Sequence, residues 1–240
     1  MGIFEVVFMN IEELIKLNPD FEFFSSKMTE DVKRNYYIKE YETGEIISHK
    51  SSELKHFGII AAGASRVINE FENGNIYMIE TNPAIDYIGE VTILAQQKYT
   101  SVTIEASKPS TVFYIPRKTA EKWIFENVEI LSRLTIRVAN KLYRSSLENG
   151  MKLFYSSDYI LIDYLVKIAA AHKITGIKRY KFPHTRSFMA EEIGMNLKTL
   201  NRTITKLKDK DLFFIEKGKI VMTLENYKNS QNYLDASKMN

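Results

Sequence analysis

The sequence predicts an α+β protein in three parts: an N-terminal antiparallel β-roll, one long helix, and a C-terminal unit of short helices closed by a β-hairpin. Three observations predict it. Between Tyr36 and Pro116, short runs rich in β-branched and aromatic residues alternate with turn signals. From Arg117 to about Glu148, neither Gly nor Pro interrupts apolar residues at helical spacing. Beyond residue 184, two short amphipathic segments flank Gly194, and a Gly-centred pair of strands follows.

Residues 1–34 read as short helical pieces, with Ser26 or Thr29 as an N-cap before acidic first-turn residues. The strand runs are YYIKEY, GEIIS, HFGIIAAG, ASRVINEFE, NIYMIET, VTIEA and STVFYIP. Gly44, Gly63, Asn73-Gly74 and Asn82-Pro83 punctuate them, and Asn73-Gly74 is a hairpin signal. Many short strands at even spacing indicate a small antiparallel barrel or roll. On the long helix, Ile124, Val128, Leu131, Thr135, Val138 and Leu142 recur in alternating steps of four and three, which is a heptad seam. Trp123, Ile130 and Leu134 lie off that seam and can pack on the roll. Two apolar faces on one helix predict a twin helix from a second chain. The competing reading is one amphipathic helix covering its own domain. Asn149-Gly150 is the expected end of the helix, and Ser156 to Asp158 the start of the next. The expected domains are therefore 1–116, 117–149 and 150–240.

Composition excludes several classes of function. The 240 residues include no Cys, which removes disulfides, thiolate metal sites and cysteine nucleophiles. Five Pro and ten Gly among 45% hydrophobic residues exclude collagen-like and disordered chains. His49, His56, His172 and His184 have no metal-ligand spacing, so no metal site is expected. There is no Walker motif, GxSxG or HExxH, and an enzyme is not expected. The N-terminus lacks a basic targeting region, and Asp163 and Lys167 break the longest apolar stretch. A cytoplasmic protein with no membrane partner is the expectation.

Charge is unevenly placed. Residues 151–240 carry sixteen Lys and Arg against nine Asp and Glu, whereas the first 150 carry seventeen against twenty-one. That asymmetry gives the last third a basic surface suited to a polyanion. Nine of the basic residues fall between 178 and 210. There Thr185 can cap a helix over 186–193 that turns Met189 and Ile193 inward and exposes Glu191 and Glu192. Gly194 supplies the left-handed residue of a tight turn, and Asn196 caps a second helix. Leu200, Ile204 and Leu207 share one face of that helix. Lys198, Thr199, Asn201, Arg202, Thr205 and Lys206 share the other. This is a helix-turn-helix with hydrogen-bond donors placed to meet a DNA major groove, and FFIE, Gly218 and KIVMT read as its wing.

Roll, long helix and winged helix-turn-helix, in that order, resemble the Crp/Fnr family of bacterial transcription regulators from about Asn35 to Thr223. Tyr87-Ile88-Gly89-Glu90 is similar to the family's phosphate-cassette start in the cyclic-nucleotide-binding fold. Thr185-Arg186, Ile193-Gly194, Thr199 and Arg202 are similar to its DNA-reading unit. Asn127, Ile130-Leu131, Arg133-Leu134 and Leu142 look like the cyclic-AMP receptor branch.

The resemblance implies a homodimer on a palindromic double-stranded operator, with half-sites about one turn (roughly 34 Å) apart. RNA polymerase stands as a further partner. DNA contacts are implied for Thr185, Arg186, Asn196, Leu197, Lys198, Thr199, Asn201, Arg202 and Lys206. Arg202 matches the family's guanine-reading arginine, while Lys198 replaces its glutamate and Leu197 a further polar reader that could touch a thymine methyl. The effector positions fall on Gly89 and Glu90, Thr100 and Ser101, and Ser145 and Ser146. The family's arginine, which neutralises a cyclic phosphate, is Thr100 here. Thr cannot replace it, and a buried phosphate without a cation is costly. Lys98 and Arg144 are the substitutes to consider. A cyclic nucleotide is thus implied by the resemblance and opposed by Thr100, and no cofactor is assigned. Three functions stay open: a DNA-binding regulator with an unidentified effector, one of the cyclic-AMP receptor type, and a ligand-binding module without DNA reading.

Overall fold

The computed structural model describes residues 9–176 and 179–238, without the side chains of 147–153 and 238. They divide into two compact units: 9–71 with 78–143, and 144–238 with 72–77. No described helix is long and apolar enough to cross a membrane.

The first unit opens with helices α1 (Ile11–Leu17), α2 (Glu22–Ser25) and α3 (Glu30–Asn35). Asn10 and Glu13 form a reciprocal capping box on α1, and Thr29, not Ser26, caps α3. The roll comprises β1 (Tyr37–Tyr41), β2 (Ile46–Ser48), β3 (His56–Glu70), β4 (Ile76–Pro83), β5 (Asp86–Ile88), the short helix α4 (Glu90–Leu94) and β6 (Thr103–Pro116). The sheet order is β1-β6-β3-β4, with β2 added to β6 and β5 to β3. Every recorded register among these strands is antiparallel.

Two pairs of expected strands are fused. HFGIIAAG and ASRVINEFE are one strand, β3, and the last two runs are one strand, β6. Gly63 does not end β3. It sits at φ +90° where the register against β6 shifts, and a Cβ there would lie 2.2 Å from the Pro109 carbonyl oxygen. Gly63 thus marks a bulge, which bends a strand without ending it. Asn73-Gly74 does form the expected turn, with Gly74 at φ +76°.

Helices α5 (Arg117–Glu126) and α6 (Val128–Phe154) follow. The single helix expected over 117–149 is therefore two. Asn127 is extended at φ −114°, ψ 104°, and its Oδ1 accepts from the backbone N–H of Glu129 and Ile130, each at 3.1 Å. An Asn that caps the next helix stops the previous one without any Gly or Pro. At the other end α6 runs through 149–150 to Phe154, so Asn149-Gly150 is not its terminus. Trp123, Ile124, Ile130 and Leu134 close the roll's main core with Phe21, Phe57 and Phe113. A second core of Ile60, Ile88, Ile104, Val112 and Tyr114 fills the other face of the sheet.

The second unit holds α7 (Ser157–Ala171), β7 (Arg179–Lys181), α8 (Arg186–Ile193), α9 (Leu197–Leu207), β8 (Phe214–Glu216), β9 (Lys219–Thr223) and α10 (Leu224–Lys238). Ser156 caps α7 as expected. The strands form an antiparallel sheet in the order β7-β9-β8. Helix α10 follows the wing and is an addition to the expected elements. Its Tyr227 and Leu234 join the core of this unit.

Candidate DNA-reading unit and effector position

The reading unit is built by local chemistry. Thr185 Oγ1 accepts from the Phe188 N–H at 3.1 Å and starts α8, and Asn196 Oδ1 accepts from the Thr199 N–H at 2.8 Å and starts α9. Between them Gly194 takes φ +69°, ψ +38°, the left-handed turn a Cβ would disfavour. Leu200, Ile204 and Leu207 pack with Met189, Ala190 and Ile193 in one apolar core. The outer face of α9 carries Leu197, Lys198 and Arg202 exposed, with Thr199 and Asn201 half-buried.

Three contacts refine that face. Arg186 Nη1 donates to Asn201 Oδ1 at 2.8 Å, tying the first helix of the motif to the second. Lys206 is held by Asp158 of α7 at 2.6 Å, so its ammonium is already paired in this structure. Glu192, expected to be exposed, is half-buried: its carboxylate accepts from the Tyr164 hydroxyl and lies 3.9 Å from His184 Nδ1. Burial, helped by Glu192, raises the Tyr164 hydroxyl above the ordinary tyrosine range. In the wing, Glu216 of β8 pairs with Arg179 and Lys181 of β7 at 3.0 and 3.2 Å. Lys219 of β9 reaches back to the His184 carbonyl at 3.1 Å, beside Thr185.

At the expected effector position, Gly89 sits at φ +88°, and a Cβ there would lie 2.6 Å from the Leu54 side chain. Glu90 opens α4 and is 4% exposed. The Thr100 hydroxyl is turned to the adjoining loop: it donates to the His49 carbonyl at 2.6 Å and accepts from the Ser52 N–H at 3.2 Å. Ser101 is exposed. Lys98 pairs with Glu53 at 3.4 Å on the surface. Ser145 and Ser146 lie one turn beyond Lys141 along α6.

Sequence reasoning missed the groups that Glu90 meets. Lys141 Nζ is 3.0 Å from Glu90, 3.0 Å from Glu80 and 3.6 Å from Asp86, and Arg137 bonds Asp86 at 3.0 Å. Burial works against the Lys141 ammonium, yet Glu90, Asp86 and Glu80 together raise it above the ordinary lysine value. Burial pushes the Glu90 carboxyl up, against the pull of Lys141. Two sequence signals mark this cluster. Asp86 shares a strand face with Ile88, which places a carboxylate on an inward strand position. Ile130, Leu134, Arg137 and Lys141 share one helix face, so that face turns from apolar to basic.

The stripe expected to meet a second chain is partly open. Val128 and Leu142 are 74% and 67% exposed, and Thr135 is exposed beside Ile136. Val138 is half-buried. Leu131 packs partly on the roll's core, and Ile124 is fully buried in it. Ile124 therefore does not belong to the seam, because the break at Asn127 turns α5 away from the line of α6.

Residues 38–127 match the model of the cyclic nucleotide-binding domain. The cAMP-activated global transcriptional regulator CRP of Escherichia coli is 22% identical over 177 residues, covering 73% of this chain and 84% of that protein. Its Pasteurella multocida counterpart is 20% identical over 197 residues, covering 82% and 90%. The chain is similar to these regulators over most of its length. Solved structures carry the same fold. The c-di-GMP responsive global regulator CLP of Xanthomonas campestris superposes with a TM-score of 0.69 at 12% identity, over 79% of this chain and 95% of its own. A Crp/Fnr-family transcriptional regulator from Eubacterium rectale superposes at 0.66 and 16%, over 88% and 97%. The residues at the effector position do not fit a cyclic phosphate. Thr100 brings no cation, and Lys141 and Arg137 are both bonded to carboxylates.

Proposed function

We propose that this chain is a homodimeric, sequence-specific DNA-binding transcription regulator. Its working parts are a sensor roll over 1–116, a helical segment from 117 that carries the dimer contact, and a winged reading unit over 150–240. One observation carries the reading: α9 buries Leu200, Ile204 and Leu207 and keeps Lys198, Thr199, Asn201 and Arg202 on its outer side. Its start is fixed by an Asn cap and a left-handed Gly. A rigid helix with a sealed apolar back and donors in front is the form that enters a major groove. Val128, Thr135, Ile136 and Leu142 of α6 supply the stripe for a second copy. Control runs from the roll through α6, which the Lys141 cluster ties to β4, β5 and α4.

A salt titration of duplex binding tests the reading. Phosphate contacts release counterions, so affinity should fall steeply with salt, and Lys198→Ala should reduce the log–log slope by about one unit. Duplex binding that is insensitive to salt would count against a helix in the groove.

A further inference from the structure

The charge cluster of the roll is larger than a structural pair requires. Three carboxylates from three elements converge on one ammonium, and two successive turns of α6 supply both cations. Glu90 and Asp86 are 4% and 1% exposed, so these charges have exchanged water for one another. Lys141 occupies the surroundings of Glu90, where the family resemblance places an effector. A nucleotide brought there would compete with Lys141 for the Glu90 carboxylate, and at the phosphate position Thr100 brings no cation. The desolvation of its phosphate would go uncompensated.

We propose that Lys141 is the built-in occupant of this position: its ammonium closes the roll to cyclic nucleotides and fixes α6 on the roll without a small molecule. The ammonium bridges the roll and α6, as an effector in that place would. The ligand-free protein therefore reads DNA without an added nucleotide, and this consequence rests on the proposed function. A signal would act by drawing Lys141 out of the cluster, which leaves the buried Asp86 and Glu90 and the half-buried Glu80 with Arg137.

The test uses the full-length chain. Cyclic AMP and cyclic GMP are titrated by calorimetry, and amide exchange over 130–146 is followed in wild type, Lys141→Met and Lys141→Arg. The expected results are no saturable heat from either nucleotide, exchange faster by roughly tenfold or more in Lys141→Met, and near-wild-type exchange in Lys141→Arg. Saturable nucleotide binding that Glu90→Gln abolishes, or wild-type exchange in Lys141→Met, overturns the proposal. Should Lys141→Met fail to fold, Glu80→Gln is the second variant, with a smaller rise in exchange expected and an unchanged rate overturning it. On DNA, ligand-free affinity for a selected duplex should fall roughly tenfold in Lys141→Met and recover in Lys141→Arg, and a rise overturns the assigned direction. If wild type prefers no duplex, the DNA-reading proposal fails, while calorimetry and exchange still decide the role of Lys141.

Discussion

Arg202 stands exposed on the outer face of α9, with a planar fork suited to guanine O6 and N7. Arg202→Ala should cost about 1–3 kcal/mol on a preferred site and relax preference at one base pair, read by duplexes substituted at each position. Equal weakening on all sequences would contradict a base-reading role. Asn201 is constrained by its partner. A guanidinium only donates, so the Asn201 atom facing Arg186 is the amide oxygen, and the amide NH2 is left as the group for DNA. Arg186→Ala and Asn201→Ala should therefore be non-additive in a double-mutant cycle of duplex affinity, with a coupling of about 0.5 kcal/mol or more. Additivity would mean that the pair does not act together on DNA. Lys141 makes a pH prediction. Its folded pKa is raised, so its stabilisation is complete below the ordinary value of 10.5 and is lost as pH rises through the folded value. Urea unfolding should show a larger alkaline loss of stability in wild type than in Lys141→Met. The caps and turn of the reading unit were legible in the sequence because each acts within a few residues. The Lys141 cluster was not, because Glu90 and Lys141 are 51 positions apart and neither residue type signals burial.

The break between α5 and α6 carries the clearest difference between pattern and fold at the scale of an element. The heptad steps from Ile124 to Leu142 run straight across Asn127, and a periodic count has no means of detecting a cap within a run free of Gly and Pro. The physical signal was Asn127 itself, whose side chain replaces the missing intrahelical partners of two N–H groups. Asn127→Ala should destabilise the roll by about 1 kcal/mol, measured by urea unfolding, and a variant as stable as wild type would show the cap to be idle. Downstream of the break the seam keeps its exposed members. Leu142→Glu should shift the full-length protein toward monomer in light scattering, since a charge in an apolar helix seam is left unpaired. A dimer unchanged in Leu142→Glu would place the contact elsewhere. The strands failed in the opposite sense. Gly63 punctuates the sequence pattern like a strand end yet forms a bulge, because the turn signal and the bulge signal are the same residue.

At the scale of the whole molecule the chain forms two units, each with its own core. The helical core of 144–238 depends on α10 as well as on the reading helices, and the roll depends on α5 and α6 as well as on its sheet. The order of roll, helix and winged unit was legible from periodicity changes alone, since period-two and helical patterns succeed each other along the chain. The state of the roll's interior was not, because it depends on which charges meet after folding. The central claim is that this chain reads DNA as a dimer. Its most direct test is selection of bound duplexes from a random pool by the purified, ligand-free, full-length protein. The expected result is an enriched palindrome with half-sites about one helical turn (roughly 34 Å) apart, bound without added nucleotide. A folded dimer that enriches no sequence from the pool would contradict the claim.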